Sequence, residues 1–464
     1  MILSTPSPAP ASAAPHSPED AAALTGPSSA PEPAPEPPTR GRYARLPLLA
    51  GRSFIPIGLF ARLPLAMLTV GALTLVTAVT GSFAVGGISA GAVGIGSALG
   101  APVIGALADR RGQRPVLVFA AVFNTVAVIA LILGAYLIPG GQDLAAALPV
   151  LVAAFVAGAS CPQVGPLARV RWMALTARGG RNADPADLDT ALSYESTADE
   201  LTFVLGPALV GILASLVAPW LPLALAAALT ITLVPAFAVH PTHQAVVRAP
   251  ARTAAGAARE KQRRASLPAG QRAGAFAAVA LPVLAMVCMG TFFGSTQTSL
   301  SSFSASFATS ELAGLLYAVM GLSSAGAALS VAYWPQRFTA GARWLACSAL
   351  MAGLALLLLL PSTALPMILV LLVLGLPVGP LMVTVFAIGG LVAPAGKLGT
   401  VMTALASGIV AGTAIGSSIA GQLAQHQGYA TAFLVPVCAA TALFLLGVAA
   451  AVVRQRRNRT AAAG

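Results

Sequence analysis

Long apolar runs separated by short polar connections occupy the chain from about residue 57 onward. An apolar helix of about 20 residues spans the hydrocarbon layer of a bilayer, roughly 30 Å. Twelve runs of that order are predicted, at 57–81, 86–107, 115–138, 147–168, 192–217, 220–239, 276–299, 312–334, 344–361, 364–392, 398–424 and 429–453. The turns between the first two runs and between the fifth and sixth are only a few residues long. Merging either pair would give a span near twice the membrane thickness, so both are kept split. The pattern predicts an all-α integral membrane protein of twelve transmembrane helices in two six-helix bundles, 46–239 and 276–453, joined by a polar linker, 240–275. A tail, 1–45, and a basic end, 454–464, flank them.

Composition agrees with that solvent. Hydrophobic residues make up 57% of the 464 and charged residues only 9%, against about a quarter charged in a soluble domain. The mean hydropathy is +0.84. The tail holds eleven of the 36 prolines and cannot bury enough apolar surface to offset the entropy of ordering. It also lacks the basic start and apolar stretch of a signal peptide.

The net charge of +12 changes the picture through its placement. No basic stripe interleaves with aromatics, as a nucleic-acid binder would need. With the tail inside, all 26 Lys and Arg fall in the predicted inner segments or at an inner helix end, where Arg62 enters the first span. The outer loops carry only Asp143, Glu311 and His426. That bias satisfies the positive-inside rule, and one span more or fewer would break it. Both termini are therefore expected in the cytoplasm. The 24 arginines against Lys261 and Lys397, with the alanine excess, suggest the cell membrane of a GC-rich bacterium.

Chemistry for an enzyme is missing from the sequence. It holds no P-loop and no metal-ligand spacing of His or Cys, and the four cysteines lie in four different runs, as packing residues would. No cofactor or metal is expected. Six spans, a linker and six spans form the twofold repeat of a secondary transporter, with its substrate site between the halves. A channel fits less well, because nothing repeats like a selectivity filter.

One loop is more specific. Gly105-Ala106-Leu107-Ala108-Asp109-Arg110-Arg111-Gly112-Gln113-Arg114 joins the second and third spans. It resembles the signature G-x-L-x-D-R-x-G-x-R of the major facilitator superfamily, in the matching loop. Gly105 and Gly112 allow close approach and a tight turn. Asp109 can pair with Arg110 or Arg114, or face the positive N-terminus of another helix. The resemblance implies that this helix is the eleventh span, opened by Gly396-Lys397-Leu398-Gly399-Thr400, and that the contact is a latch made in one access state and broken in the other. The mirrored loop of the second half, Tyr333 to Arg343, looks like a decayed copy that keeps Arg337, Gly341 and Arg343 and has lost the acid.

In the fifth span, Gly206-Pro207 with Gly211 resembles the helix-bending motif of the family's exporters, although Thr202 replaces a glycine and Gly211 comes one residue late. Pro207 removes a helical hydrogen bond. Upstream, Glu195 and Asp199 share a helix face, and Glu200 points about 100° away. Carboxylates at membrane depth need partners, water or a proton. Two roles stand open: pairing with the loop arginines, Arg169 or Arg171 in a cytoplasmic gate, or proton coupling, for which Glu200 is the best placed.

No charged residue is expected in the middle of any span. A neutral cavity follows, with Asn124, Gln163, Phe292 and Gln297 among its candidate lining. Such a lining suits a neutral or amphipathic small organic molecule. Export of that molecule by a monomeric transporter, with protons as a candidate coupling ion, is the first reading. Uptake of a neutral solute is the second, and a non-transporting receptor or assembly protein on the same fold is the alternative of another class.

Overall fold

A computed structural model describes residues 41–137, 146–178, 184–247, 269–306 and 312–462. The tail through residue 40, linker residues 248–268, Asp143 and Glu311 lie outside the described residues. Among the described residues, twelve helices are long and apolar enough to cross a membrane: α1 (Phe54–Thr80), α2 (Val85–Arg111), α3 (Gln113–Leu137), α4 (Leu148–Ala177), α5 (Pro185–Leu216), α6 (Leu221–Val239), α7 (Phe276–Ala305), α8 (Ala313–Tyr333), α9 (Ala340–Leu359), α10 (Ala364–Val392), α11 (Leu398–Gln427) and α12 (Tyr429–Val453).

In the first half α2 packs on α4, α3 on α6, and α1 on α2 and α5. In the second, α7 packs on α11 and α12, and α8 and α9 on α10. The halves meet chiefly where α2 lies against α11 and α5 against α8. Small residues set these distances. A Cβ on Gly412 would run into Val287 O of α7, and one on Gly105 into Gly399 O at 2.6 Å across the halves. Gly87 and Gly91, spaced like a packing ridge, face open space instead.

Two helices run further than their apolar content predicts. The fourth span was expected to end at 168 but continues to Ala177, and the fifth begins at Pro185 instead of 192. Asp184 caps α5 through the Ala186 N–H, with Pro185 in the first turn. The polar stretches of both helices stay helical because protein covers them. Arg169, Arg171, Ser193 and Ser196 are all 0% exposed.

Two helices are also interrupted. In α1 the helix pauses at Ala61-Arg62, before Pro64. In α4 it breaks at Cys161-Pro162-Gln163, between Leu148–Ser160 and Val164–Ala177. Both breaks border the same central cavity.

Burial divides the molecule along its length. From Asp187 to Glu200 no residue of α5 is exposed, while Leu201, Phe203, Leu205, Ala208, Gly211 and Ile212 are. Along α11 none is exposed from Leu398 to Thr413, while Ala414, Ile415, Ser418 and Ile419 are. The end at which α2 and α4 finish and α5 and α11 begin is therefore closed.

Candidate functional site

Asp109, near the last turn of α2, reaches the first turn of α11. Its Oδ1 accepts the Gly399 N–H at 2.8 Å, and its Oδ2 accepts the Thr400 N–H at 2.8 Å and the Thr400 hydroxyl at 2.7 Å. Those amides have no intrahelical acceptor, and the positive helix end favours an anion there. Gly105 brings the two helices together, and Gly112, at φ +89°, turns the chain out of α2. Arg110 and Arg114 do not pair with Asp109. Both are exposed, and no ion pair to either is found among the described residues.

The carboxylates of α5 find other partners than the loop. Glu195 Oε2 accepts from Arg62 Nη2 at 2.7 Å, and its Oε1 accepts from Trp172 Nε1 at 2.8 Å. Asp199 Oδ1 accepts from Arg62 Nη1 and Oδ2 from Arg169 Nη2, both at 2.8 Å. The guanidinium of Arg169 lies 3.8 Å from the Phe386 ring of α10, a contact between halves. Arg171, the other expected partner, turns away. It donates to Gln113 Oε1, Phe237 O and the Thr242 hydroxyl, where it closes the end of α6.

The helix extensions explain both corrections. Arg62 lies eight residues into α1 and Arg169 eight residues before the end of α4, so charges expected at helix ends stand inside the bundle. Neither residue lies at the middle of its helix, and both are buried among their partners.

Glu200 lies at the interface of the halves. The Ser324 hydroxyl of α8 donates to its Oε1 at 2.7 Å, while Oε2 is buried without a partner among the described residues. The Thr197 hydroxyl one turn away donates to Ala325 O at 3.2 Å.

A third tie was not foreseen. Arg343 Nη2, in the loop mirroring 105–115, donates to Asp189 Oδ2 on α5 at 2.8 Å. The signal was present as an arginine in the degenerate loop and an acid near the start of the fifth span. The segment before α1 adds two more contacts to α8: the Tyr43 hydroxyl donates to Leu329 O at 2.6 Å, and Arg42 to Ala332 O.

The central cavity is lined by Arg62, Ser97, Gln163, Asp199, Phe203 and Phe386, among others. Its volume of about 40 Å³ holds about three waters, too little for an organic molecule in this closed arrangement. Gln163 takes its expected place there. The other three lining candidates do not. Asn124 bonds to Ala157 O and the Ser160 hydroxyl and ties α3 to α4. Phe292 is fully buried within the second-half core, and Gln297 is exposed away from the cavity. In a helix of small and polar residues the inward face of α7 was not legible from composition.

Of the bend motif, Gly206 meets α1, where a Cβ would lie 2.6 Å from Ala66 Cβ, and Pro207 stands inside α5. Gly211, the displaced member, faces open space.

The sequence profile of the Major Facilitator Superfamily matches residues 54–405. Solved structures of the same fold include the human organic anion transporter MFSD10 (TETRAN), with a TM-score of 0.62 at 19% identity, over 89% of this chain and 100% of that one. The E. coli fucose:proton symporter FucP gives 0.59 at 15%, over 86% and 99%. A bacterial homologue of the iron transporter ferroportin in an outward-facing state gives 0.60 at 15%, over 85% and 99%. No curated protein matches the chain by sequence. Twelve apolar helices in two halves, the loop at 105–114 seated on α11, and the profile match across most of its length place the chain in the Major Facilitator Superfamily, as a multi-pass membrane transport protein.

Proposed function

We propose that the protein is a secondary transporter working by alternating access, which exports a small amphipathic organic molecule and couples its cycle to protons. One observation carries the reading: an Asp109 carboxylate of one half is seated on the helix N-terminus of the other. Such a contact stabilises only the arrangement in which these helix ends touch, so it biases a two-state equilibrium as alternating access requires. The arginine-rich segments put the closed end in the cytoplasm, with both termini there, in the cell membrane of a bacterium. The described arrangement is then closed inward, with its binding cavity collapsed around Arg62 and Asp199. Export rests on Gly206-Pro207 in α5.

Glu200 is the proton site in this reading. One oxygen already accepts from Ser324 and the other has none, so a proton can be taken up without breaking a bond. The halves then part or join according to whether Ser324 faces a carboxylate or a carboxylic acid.

The test follows the closed end directly. Spin labels on α5 and α8 in lipid nanodiscs report the open and closed populations between pH 5 and 8. Asp109→Asn should raise the open fraction at every pH, and Glu200→Gln should remove the pH dependence. An Asp109→Asn distribution identical to that of the native chain overturns the alternating-access latch, and a Glu200→Gln profile that still moves with pH overturns the proton site.

A further inference from the structure

The free hydrogen-bonding capacity beneath the cavity consists of donors. Arg169 is 0% exposed, and its Nε and Nη1 have no partner among the described residues. Both oxygens of Asp199 and both of Glu195 are already engaged. An unpaired buried N–H of a guanidinium is costly to leave. What this floor lacks is an acceptor.

Only Gly165, which has no side chain, stands between the cavity and Arg169 at this point. Gly165 lines the cavity, and a Cβ built on it would stand 3.1 Å from Asp199 Oδ1, 3.7 Å from Arg169 Nη1 and 3.9 Å from Arg62 Nη1. Any larger residue would cover the three charged groups, so the glycine acts as a window. Around it lie Phe203, which is 44% exposed, and Phe386, whose ring Arg169 stacks upon. The Ser407 hydroxyl on the opposite wall is also buried without a partner.

We propose that this window is an anion subsite, and that the transported molecule is an amphipathic monocarboxylate whose acid group is received by Arg169 while its apolar body rests on Phe203 and Phe386. Arg62 and Arg169 already face Glu195 and Asp199, two against two, so the ligand's acid group is received by the unpaired Nε and Nη1 of Arg169 while Nη2 stays on Asp199. The nitrogens of Arg62 are all engaged, so a second acid group would find no unpaired guanidinium N–H there. A cationic ligand would meet the guanidiniums of Arg62 and Arg169 beside Asp199 oxygens that each already accept from one of them, and a neutral amide gets the weaker, uncharged bond. This subsite rests on the transport reading above and replaces the neutral ligand that the sequence left open.

Three matched probes test it: 1-naphthaleneacetate, 1-naphthaleneacetamide and 1-naphthylmethylamine, with the benzene analogues as a smaller set. Binding to the full chain in nanodiscs is measured by calorimetry. The acetate should bind about tenfold or more tightly than its amide, and the amine least. Arg169→Gln and, with the charges left intact, Gly165→Ala should each erase the preference for the acetate. If neither acid binds more tightly than its amide, or if the preference survives both variants, the subsite is wrong. The spin-label response to Asp109→Asn is read on the same preparations. A normal response with no acid preference removes the subsite alone, whereas no response removes the transport reading beneath it.

Discussion

Arg62 and Glu195 are 4% and 1% exposed at the side chain and 2.7 Å apart, on α1 and α5. Removing one member of a buried ion pair leaves the other charged and unpartnered, which costs about 3–5 kcal/mol. Arg62→Met should lower stability by about that amount in thermal unfolding, and adding Glu195→Gln should recover most of it because the amide needs no counter-charge. A single variant as stable as the native chain would show that water reaches the pair. A second residue answers to pH. His240, just beyond α6, stands between Ser53 and Thr242, and its Nδ1 accepts the Thr242 N–H. Burial first, then the Arg171 and His243 charges, push its pKa below 6.5. The unfolded chain therefore binds the proton more readily than the folded one, and stability falls as pH drops from 6.5 toward the depressed value. Unfolding followed from pH 7.5 to 5 should show that slope, and His240→Gln should flatten it. An unchanged slope would assign the acid sensitivity to other groups.

Helices, as elements, were legible where their polarity is simple. The count of twelve follows from apolar length, and the seat of Asp109 on α11 followed from the loop motif once the family resemblance was admitted. The ends of α4 and α5 were not legible, because an arginine or an acid in a sequence marks water only if nothing pairs with it. Asp199 pairs with both Arg169 and Arg62, so the helices carry all three inside; the tie to Arg169 was among the pairings expected, and the share of Arg62 in it was not. Asn124 and Gln297 failed for a related reason: a lone polar residue in a span serves a neighbouring helix or faces outward as readily as it lines a cavity. At this scale Gly105 makes the sharpest prediction. A Cβ there meets Thr403 and Gly399 O of α11, so Gly105→Ala should oppose closure by about 1–2 kcal/mol, a factor of about 5–30 in population. Ser196 is fully buried at the closed end. Maleimide labelling of Ser196→Cys, in a chain without its native cysteines, should accelerate by that factor. Unchanged labelling would mean that α2 yields locally instead.

Two pairs of elements close the molecule, and they are related by the repeat. The loop after α2 reaches the start of α11 through Asp109, and the loop after α8 reaches the early part of α5 through Arg343. The second copy lost its acid, yet it keeps a charged tie of reversed sign, with the acid now on the receiving helix as Asp189. If the halves move as rigid bodies, both ties report one equilibrium, and weakening either should open the whole closed end. Asp189→Arg sets two guanidiniums against each other and should raise the labelling of Ser196→Cys. Combining it with Arg343→Asp restores opposite charges and should bring labelling back toward the native rate. Asp109→Asn lies on the other tie, across α2 and α11, yet it should raise labelling on α5 as well. Because the two ties share no residue and lie on different helix pairs, their free energies should add within about 0.5 kcal/mol when combined. Were Asp109→Asn to leave Ser196→Cys protected while Asp189→Arg exposes it, the ties would be independent local clasps, and closure would belong to single helices instead of halves.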